Sequence, residues 1–244
     1  MKLKNNVKED YYSIGIIIPT TSHKTNYKTI NDACFFTVML PSFLEKYNKH
    51  GKHTYNFYIA YDDDDAFYLK YHDAMLEKFN DMTPDNFKLK LYTVTNMKSK
   101  VGHIWNFLAK KAYNENNYLY QLGDDIQILD SGWEKVFINV LKKQNNMGTI
   151  GPRDNHKPDI LTQNFVHKTH LDIFGYFFHP EIINWYIDDW LTHVYGSKSV
   201  PSIKIKNASG VTPKYNVVDD KLNYKKCLEE GKMILEKWKN KTIK

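Results

Sequence analysis

The chain has 244 residues, which is enough for one α/β domain with a sizeable core and too few for two domains of ordinary size. Apolar residues make up 42% and charged residues 25%, values that exclude a disordered chain, and no apolar run reaches the length of a membrane span. The net charge of +6 favours anionic partners such as nucleotides. Part of that excess lies in the lysine-rich C-terminal tail, so it does not by itself mark a site.

Cysteine use and the N-terminal segment bear on where the protein works. Cys34 and Cys227 are isolated, so neither a disulfide framework nor a cysteine-based metal site is expected. The segment MKLKNNVKEDYYS lacks the apolar core of a signal peptide. We therefore expect a cytoplasmic protein.

Short apolar runs alternate with amphipathic stretches, the pattern of a sheet whose parallel strands are joined by helices. In the first half of the chain, the predicted strands are Ser13–Pro19, 55–61, 87–95 and 118–122, and the helices between them are 27–47, 66–80 and 101–114. Pro41 is expected to kink or divide the first of these helices. A helix at 131–144 with Ser131 as its N-cap follows, then strands at 147–151 and 160–169 and helices at 180–195 and 222–238. The sequence therefore predicts an α/β fold with a mostly parallel central sheet flanked by helices.

Polar residues directly follow three of the predicted strands. They are Pro19-Thr20-Thr21, the acidic run at 62–65, and Gly123-Asp124-Asp125. In open α/β sheets, ligands bind at the carboxyl ends of the strands. These segments are far apart in sequence, and we expect them to converge on one binding site.

The pair Asp124 and Asp125 follows the apolar strand YLYQL. Mg²⁺ and Mn²⁺ prefer hard oxygen ligands, often one or two carboxylates together with phosphate oxygens. A cation held here would bridge the protein to a nucleotide diphosphate and neutralise the charge that develops on the leaving group. The alternative for the same residues is a polar turn with a helix N-cap.

The four acids at 62–65 repel one another, so they cannot all be buried at low cost. One or two of them are expected to cap the following helix, where the helix dipole favours negative charge. Another is well placed to bind a base or a ribose, although a solvated capping turn alone would also explain the run.

A further acidic pair, Asp188 and Asp189, lies in the aromatic stretch YFFHPEIINWYIDDWLTHVYG. A carboxylate that faces a cleft can accept the proton of an attacking hydroxyl. Trp185 and Trp190 would then form an apolar wall for a sugar ring and raise the pKa of that base by restricting water. The alternative is a helix with one solvated and one paired acid and with its tryptophans in the core.

Three basic residues are weaker candidates for the same site. Lys100 and His103 follow the third strand, from which a basic side chain can reach a phosphate or a ribose. Arg153 is the only arginine in the chain, and it is a candidate to pair with Asp154 or to bind a phosphate.

Together these motifs resemble those of GT-A glycosyltransferases, especially family 2-like enzymes. SIGIIIPTT resembles the first strand and base-binding loop of that fold, YIAYDDDD the second strand with its base-contacting acid, and LGDD the DxD-type metal motif. IDDW resembles the Trp-Asp-Asp-Trp segment of inverting N-acetylglucosaminyltransferases. TVMLPSFLEKY and YDDDDAFY are similar to segments of glycosyltransferase-like proteins of large DNA viruses, which would place the protein in a host cytoplasm. The resemblance covers roughly residues 13–196.

The resemblance implies one GT-A domain over residues 1–244, with a Rossmann-like nucleotide-sugar-binding half at 13–125, an acceptor and catalytic half at 126–220, and an amphipathic helix at 221–244. It implies metal-dependent, inverting transfer of a sugar from a nucleotide-sugar, at the family level a UDP-sugar, to a hydroxyl of a glycan or glycoprotein. Asp125 and Asp124 would hold Mn²⁺ or Mg²⁺, and Asp188 would be the base, with Asp189 as its alternate. The residues expected to bind the donor are Pro19, Thr20, Thr21, Asp63, Asp64, Lys100, His103, Asp124, Arg153 and Trp190.

The sequence departs from the family pattern at the metal site. The motif is Gly-Asp-Asp rather than Asp-x-Asp, and no histidine follows Gly196 to complete the metal shell. Asn207 and Ser209 are available substitutes, and the segment 196–215 is predicted to be a lid ordered by the donor.

Other functions stay open on the same residues. They are a catalytically degenerate GT-A domain that acts as a binding or scaffold module, and a sugar nucleotidyltransferase, although PTTSHKTNYKT lacks that class's Gly-rich, Arg-containing loop. A polymerase is disfavoured by the short chain, and no nucleic-acid partner is expected. The lysines and Trp238 of the terminal helix would allow a weak contact with a membrane surface, the alternative being packing on the domain.

Overall fold

A computed structural model of the chain describes residues 11–208 and 216–242. Its strands are β1 (Ser13–Pro19), β2 (Thr54–Asp62), β3 (Phe87–Val94), β4 (Tyr118–Gln121), β5 (Ile126–Ile128), β6 (Thr149–Ile150), β7 (Pro152–Asp154), β8 (Phe165–His167) and β9 (Val200–Asn207). Its helices are α1 (Leu40–Lys46), α2 (Ala66–Lys70), α3 (His72–Met82), α4 (Val101–Ala112), α5 (Trp133–Lys143), α6 (Thr169–Phe174), α7 (Ile187–Tyr195) and α8 (Lys221–Thr242). A 3₁₀ turn at Ile30–Asp32 and a π-helix at Phe35–Met39 precede α1.

The central sheet has six strands in the order β3-β2-β1-β4-β8-β6. Strands β1 to β4 are parallel, whereas β8 pairs antiparallel with both β4 and β6. The predicted α/β fold with a mostly parallel sheet is therefore confirmed. Because β1, β2 and β4 run in the same direction, the polar residues that follow them lie along one edge of the sheet.

Residues 14–18 of β1 are buried and have no polar side chain, because both faces of the sheet are covered. Side chains alternate between the faces, so Ile14 and Ile16 pack into one core and Ile17 packs into the other. The first core contains aromatic rings from β2, α1 and α5, and the second is built around α4, α7 and α8. A run without polar alternation is thus the expected sequence for this position.

Two predicted helices are divided in the structure. The segment 27–47 contains the 3₁₀ turn, the π-helix and α1, with Pro41 at the start of α1, directly after the π-helix. The segment 66–80 is divided at Tyr71 between α2 and α3. The prediction of Ser131 as an N-cap is wrong, since α5 begins at Trp133 after Gly132, whose φ of 81° favours glycine.

The second half of the chain departs further from the prediction. The strands predicted at 147–151 and 160–169 shorten to β6 and β8, and the helix predicted at 180–195 begins only at Ile187. Strands β5, β7 and β9 and helix α6 were not predicted, and the three strands form a separate sheet in the order β5-β9-β7. Strand β9 occupies part of the segment predicted to be a lid, while Ser209 and the rest of 209–215 lie outside the described residues.

Helix α8 packs on α6 and α7 through an apolar stripe. Cys227 and Leu235 are buried in this contact, and Trp190 Nε1 donates a hydrogen bond to the Cys227 carbonyl at 2.9 Å. A Cβ atom on Gly231 would lie 2.8 Å from Val194 Cγ2, so glycine is needed for the two helices to approach this closely. The terminal helix therefore packs against the rest of the protein. Within residues 11–208 and 216–242, no helix is both long enough and apolar enough to cross a bilayer.

Candidate active site

A cleft of about 550 Å³ opens at the carboxyl ends of β1, β2 and β4. Its walls combine carboxylates with cationic side chains, including those of Lys24, Lys98 and Lys157. The predicted site residues that line it are Pro19, Thr20, Thr21, Asp124, Asp125 and Asp188. The three sequence segments expected to meet at the sheet edge thus share one cleft with the acidic pair of α7.

Asp124 is held in one orientation by the loop after β1. Its Oδ2 accepts a hydrogen bond of 2.6 Å from the Thr20 hydroxyl, and both residues are 5% exposed. The Thr20 oxygen also lies 2.9 Å from the Tyr68 hydroxyl. Burial, followed by the charge of Asp124, raises the pKa of Tyr68 well above its usual value, so Tyr68 stays a neutral donor toward Thr20.

Asp125 lies beside the end of β9. The Asp125 carbonyl accepts a hydrogen bond of 2.9 Å from the Ala208 amide, and the next residue, Ile126, pairs with Asn207 in the β5–β9 ladder. Asp125 and Asn207 both line the cleft. A carboxylate and a neutral amide oxygen, from segments that are distant in sequence, are thereby brought to the same wall.

The four acids at 62–65 have different environments. Asp65 is fully buried and caps α2 by accepting from the Tyr68 amide at 3.2 Å, and it also accepts from the Ser22 amide and hydroxyl, each at 2.7 Å. Asp63 and Asp64 are exposed and do not line the cleft. Asp62 does line it, and it is only 7% exposed. The expected capping role is therefore present at one member of the run.

Asp62 has an unpaired oxygen. Its Oδ1 is buried without a hydrogen-bond partner. Burial, and next the charge of Asp64, raises the pKa of the Asp62 carboxyl. An acceptor atom of this kind is available to a ligand that brings an N–H group into the cleft.

One group of three side chains in the described part of the chain has the spacing to hold a metal ion. The ligand atoms of His23, Asp62 and Asp64 lie within 4.8 Å of one another. The oxygens of Asp64 are already engaged, with Lys98 Nζ at 2.6 Å and His23 Nε2 at 3.3 Å. A cation bound there would have to compete with the Lys98 ammonium for the same carboxylate.

Asp188 lies in the first turn of α7 and faces the cleft. Its Oδ1 is buried and has no hydrogen-bond partner. Burial, followed by the charges of Asp189 and Asp154, raises the pKa of Asp188 well above its ordinary value, and Lys157 only partly opposes this effect. A half-buried carboxylate with an unused oxygen and a raised pKa is suited to accept a proton. Asp189 does not line the cleft.

Four other predicted site residues lie outside the cleft lining. Lys100 Nζ donates to the Asn96 carbonyl at 3.0 Å, and His103 Nε2 is 2.9 Å from the Pro180 carbonyl. Arg153 is exposed on β7, where Asp154, its predicted partner, instead accepts hydrogen bonds from Thr162 and His156. Trp190 is 0% exposed and belongs to the core on the α7 and α8 side.

Solved structures with similar folds provide an independent comparison. The TarS 1–349 fragment of S. aureus matches with a TM-score of 0.54 and 13% identity over 81% of this chain and 60% of that chain. The same fragment in complex with UDP-GlcNAc matches with a TM-score of 0.53 and 12% identity over 90% of this chain and 71% of that one. GalNAc-T7 with UDP, GalNAc and Mn²⁺ matches with a TM-score of 0.62 and 12% identity over 91% of this chain and 48% of that one. The chain has the GT-A fold.

The likeness to these structures is one of fold. At 12–13% identity it shows the fold, and the chain spans 60–71% of the length of the TarS fragment and about half of GalNAc-T7. No protein-family model and no curated protein matches the sequence.

The GT-A cleft also contains residues that the sequence did not single out. Gln163 Oε1 accepts a hydrogen bond from the Gly123 amide at 3.0 Å and so supports the loop that carries Asp124 and Asp125. Trp105 lines the cleft and is anchored by its Nε1, which donates to the Ile17 carbonyl at 3.2 Å. No spacing signal points to these residues. Asp62 had a signal, because it opens the acidic run at 62–65 that directly follows the strand YNFYIAY.

Proposed function

We propose that the protein is a metal-dependent glycosyltransferase that moves a sugar from a nucleotide-sugar, a UDP-sugar in the first instance, to a hydroxyl group with inversion at the anomeric carbon. One observation carries the proposal. Asp124 and Asp125 lie at the strand ends of a GT-A sheet, and the unpartnered carboxylate of Asp188 lines the same cleft. A site for an anionic leaving group and a base for the acceptor are thus combined in one cavity.

The donor base is assigned to the pocket beside Asp62. Its unpaired Oδ1 would accept a hydrogen bond from the ring N–H of a uracil, which removes the cost of a buried acceptor without a donor. Thr21 lies on the same side of the cleft. A guanine also offers ring N–H groups, so the choice of UDP over GDP is supported by the TarS and GalNAc-T7 complexes rather than by Asp62 alone.

Asp125 and Asn207 are assigned as protein ligands of Mn²⁺ or Mg²⁺. Carboxylate and amide oxygens are the hard donors that both ions prefer, and the β5–β9 pairing brings the two residues to one wall. Asp124, held by Thr20, orients the neighbouring loop. When bound, the cation would neutralise the charge that develops on the departing nucleoside diphosphate.

Asp188 is assigned as the base. It accepts the proton of the acceptor hydroxyl while that oxygen forms a bond to the anomeric carbon of the donor sugar and the bond to the diphosphate oxygen breaks. One displacement inverts the configuration, and the proton stays on the Asp188 carboxyl until the product leaves. Such assistance by a positioned base is worth roughly 10²–10⁴ in rate.

The acceptor side of the cleft is assigned to the wall next to Asp188. Trp185 lines this wall, and Lys157 Nζ lies 4.8 Å from the centre of its ring. An indole face offers the apolar surface on which a sugar ring stacks. A glycan or a glycoprotein is therefore the proposed acceptor class.

The deciding experiment is nucleotide-sugar turnover. A panel of UDP- and GDP-sugars is incubated with and without Mn²⁺, and release of the nucleoside diphosphate is measured for the wild type, Asp125→Ala and the control Asp85→Ala. Asp85 is an exposed acid outside the cleft lining. We expect Mn²⁺-dependent release of one nucleoside diphosphate, lost in Asp125→Ala and retained in Asp85→Ala.

Other outcomes would contradict the proposal. If no donor is hydrolysed and no nucleotide binds in a metal-linked manner, the domain is a binding or scaffold module. Release of pyrophosphate from a nucleoside triphosphate and a sugar phosphate would instead identify a nucleotidyltransferase. Chirality at the anomeric carbon of the transfer product, measured by NMR, tests the inverting step separately.

A further inference from the structure

Asn184 is a buried side chain with all of its hydrogen-bonding capacity in use. It is 2% exposed and lies just behind the cleft wall. Its Nδ2 donates to the Ser99 carbonyl at 2.7 Å and to the Asn216 carbonyl at 2.9 Å. Its Oδ1 accepts from the Trp185 amide at 2.7 Å and from the Val218 amide at 2.9 Å. One amide group therefore makes four hydrogen bonds to the main chain.

These bonds join three separate segments of the wall. The first is the loop before α4, the second is the turn that leads into α7, and the third is the residues 216–220, here called the strap. Each contributes to the lining of the cleft, through Ser99, through Trp185 and Asp188, and through Asn216. Asn184 itself does not line the cleft, so it would act on a substrate only through its neighbours.

The turn that Asn184 holds is conformationally demanding. Tyr186, at the N-cap of α7, has a φ of 70°, a left-handed conformation that is unfavourable for an aromatic residue. Its hydroxyl donates to Asp219 Oδ1 at 2.6 Å, and its ring stacks on Tyr224 with a centroid separation of 4.9 Å. The strap and α8 thus hold from outside the same turn that Asn184 holds from inside.

We propose that Asn184 is a positioning residue that ties the strap and the loop before α4 to the turn before α7, and thereby fixes the direction in which Asp188 faces the acceptor. The catalytic part of this inference rests on the proposed function, because it takes Asp188 as the base. The structural part, that Asn184 holds these three segments together, is independent of any activity.

Loosening the tie has a specific expected effect on Asp188. The charged groups that act on this carboxyl are Asp189, Asp154 and Lys157, and its burial is the dominant influence on it. If the turn before α7 loosens, the wall that carries Asp188 and Asn216 opens to water, and the pKa of Asp188 falls toward its ordinary value. The acid limb of the pH–rate profile would then move to lower pH, whereas a general loss of stability would leave the limb in place.

The test compares two asparagines that are equally buried. Asn184→Asp keeps the shape but replaces the two donors with an oxygen that faces the carbonyls of Ser99 and Asn216. The control is Asn116→Asp, because Asn116 is also 2% exposed and donates to the Ala112 carbonyl at 2.8 Å and the Tyr58 hydroxyl at 3.0 Å. Asn116 precedes β4, at the opposite edge of the sheet from the cleft.

Three quantities are measured for each variant: amide hydrogen exchange over 216–220, the kcat and its pH profile, and the Kd for UDP. We expect Asn184→Asp to speed amide exchange over 216–220 about tenfold, because a carboxylate oxygen repels the Ser99 and Asn216 carbonyls. It should also lower kcat about tenfold and shift the acid limb downward, with the Kd for UDP changed by less than about threefold. Asn116→Asp is expected to leave all three as in the wild type. Tyr186→Phe, which removes only the exposed bond to Asp219, is expected to act as Asn184→Asp does but more weakly.

The outcomes separate the two proposals. Equal amide exchange over the strap in Asn184→Asp and Asn116→Asp would contradict the proposal that Asn184 holds the strap in place. Should Asn184→Asp fail to fold, Asn184→Ser, which removes the amide donors to the Ser99 and Asn216 carbonyls without adding a charge, takes its place, and exchange equal to that of Asn116→Asp would then overturn the proposal. Faster exchange with an unshifted acid limb would overturn the positioning of Asp188. Absence of turnover in the wild type would contradict the proposed function while leaving the exchange result to decide the tie.

Discussion

Asp124 and Asp188, on two walls of the cleft, differ in how their carboxylate oxygens are hydrogen-bonded. On the strand-end wall, Asp124 receives a short hydrogen bond from Thr20, and the nearby Asp65 receives several from the loop after β1 and the start of α2. On the opposite wall, Asp188 keeps a buried oxygen without any partner. The difference indicates two roles. A carboxylate whose oxygens are hydrogen-bonded by the protein maintains the shape of the site, whereas one with an unpaired oxygen is available to accept a proton.

The same contrast exists within the acidic run. Asp65 is fully used as a cap, and Asp62 retains an unpaired oxygen that faces the cleft. Both are buried, so burial alone does not separate them. What separates them is whether the protein itself supplies the donors.

The largest expected effect is the loss of turnover when the Asp188 carboxylate is removed. Asp188→Asn should lower kcat roughly 10²–10⁴-fold, because the amide cannot accept the proton of the acceptor. Asp189→Asn, the matched control one residue later, should retain activity within a few-fold, because Asp189 does not line the cleft. Sugar transfer to a hydroxyl acceptor is the measurement. Equal losses in the two variants would contradict the assignment of the base to Asp188.

The difference in stability between the wild type and Asp188→Asn should depend on pH. The raised pKa of Asp188 means that the folded chain binds this proton more tightly than the unfolded chain. The group therefore favours folding below the unfolded pKa of about 3.9, and that contribution is lost as the pH rises toward the folded pKa. Relative to Asp188→Asn, the wild type should become less stable as pH increases from about 4 to 7. Urea unfolding at several pH values measures this, and a constant difference would refute it.

A smaller effect is expected at the metal ligands. Asp125→Asn should weaken Mn²⁺ binding at least about tenfold, and Asn207→Ala should weaken it by less, because a charged ligand contributes more than a neutral one. Isothermal titration with Mn²⁺ in the presence of UDP measures the affinity. Asp64→Asn is the contrasting variant, since it breaks the alternative group of His23, Asp62 and Asp64. A larger loss in Asp64→Asn than in Asp125→Asn would move the ion to that group.

Binding of the donor base should depend on Asp62. Asp62→Asn replaces the unpaired acceptor with a group that can present its NH₂ instead, and we expect the Kd for UDP to rise about tenfold. Asp63→Asn, at the adjacent exposed position, should leave the Kd unchanged. Titration of UDP by intrinsic fluorescence or calorimetry is sufficient. A larger effect at Asp63 would restore the base contact originally expected from the sequence.

The smallest effect is expected at Asp124, whose carboxylate already accepts a hydrogen bond from Thr20. Thr20→Val removes the donor to Asp124 Oδ2 in nearly the same volume, which should cost about 1–3 kcal/mol of the free energy of unfolding. Turnover should fall only a few-fold, because Asp124 orients the loop rather than taking part in proton transfer. Denaturant unfolding and kcat measured on the same sample separate the two. An activity loss as large as that of Asp188→Asn would remove the contrast between the walls.

Local pattern in the sequence was sufficient for the first half of the fold. The apolar runs of β1, β2 and β4 and the polar residues that follow them predict parallel strands whose ends meet, and Thr20, Asp124 and Asp125 share a cleft. These features are readable because each strand carries its own signal of burial on both faces. The placement of Asp188 in the same cleft agrees with its motif, although no spacing rule brings residue 188 near residue 124.

Only the tertiary structure decided the rest. Strand β9 is half exposed and lies in a sheet of three short strands, so its pairing beside Asp125, and with it the position of Asn207, depends on partners distant in sequence. Trp190 and Trp185 look alike in the sequence, yet helix α8 covers the first while the second faces the cleft. Asn184 has no motif at all, and its four partners come from three segments. The sequence specifies which side chains are apolar and which need hydrogen-bond partners. Long-range packing decides which of the polar groups find partners within the protein and which remain available to a ligand.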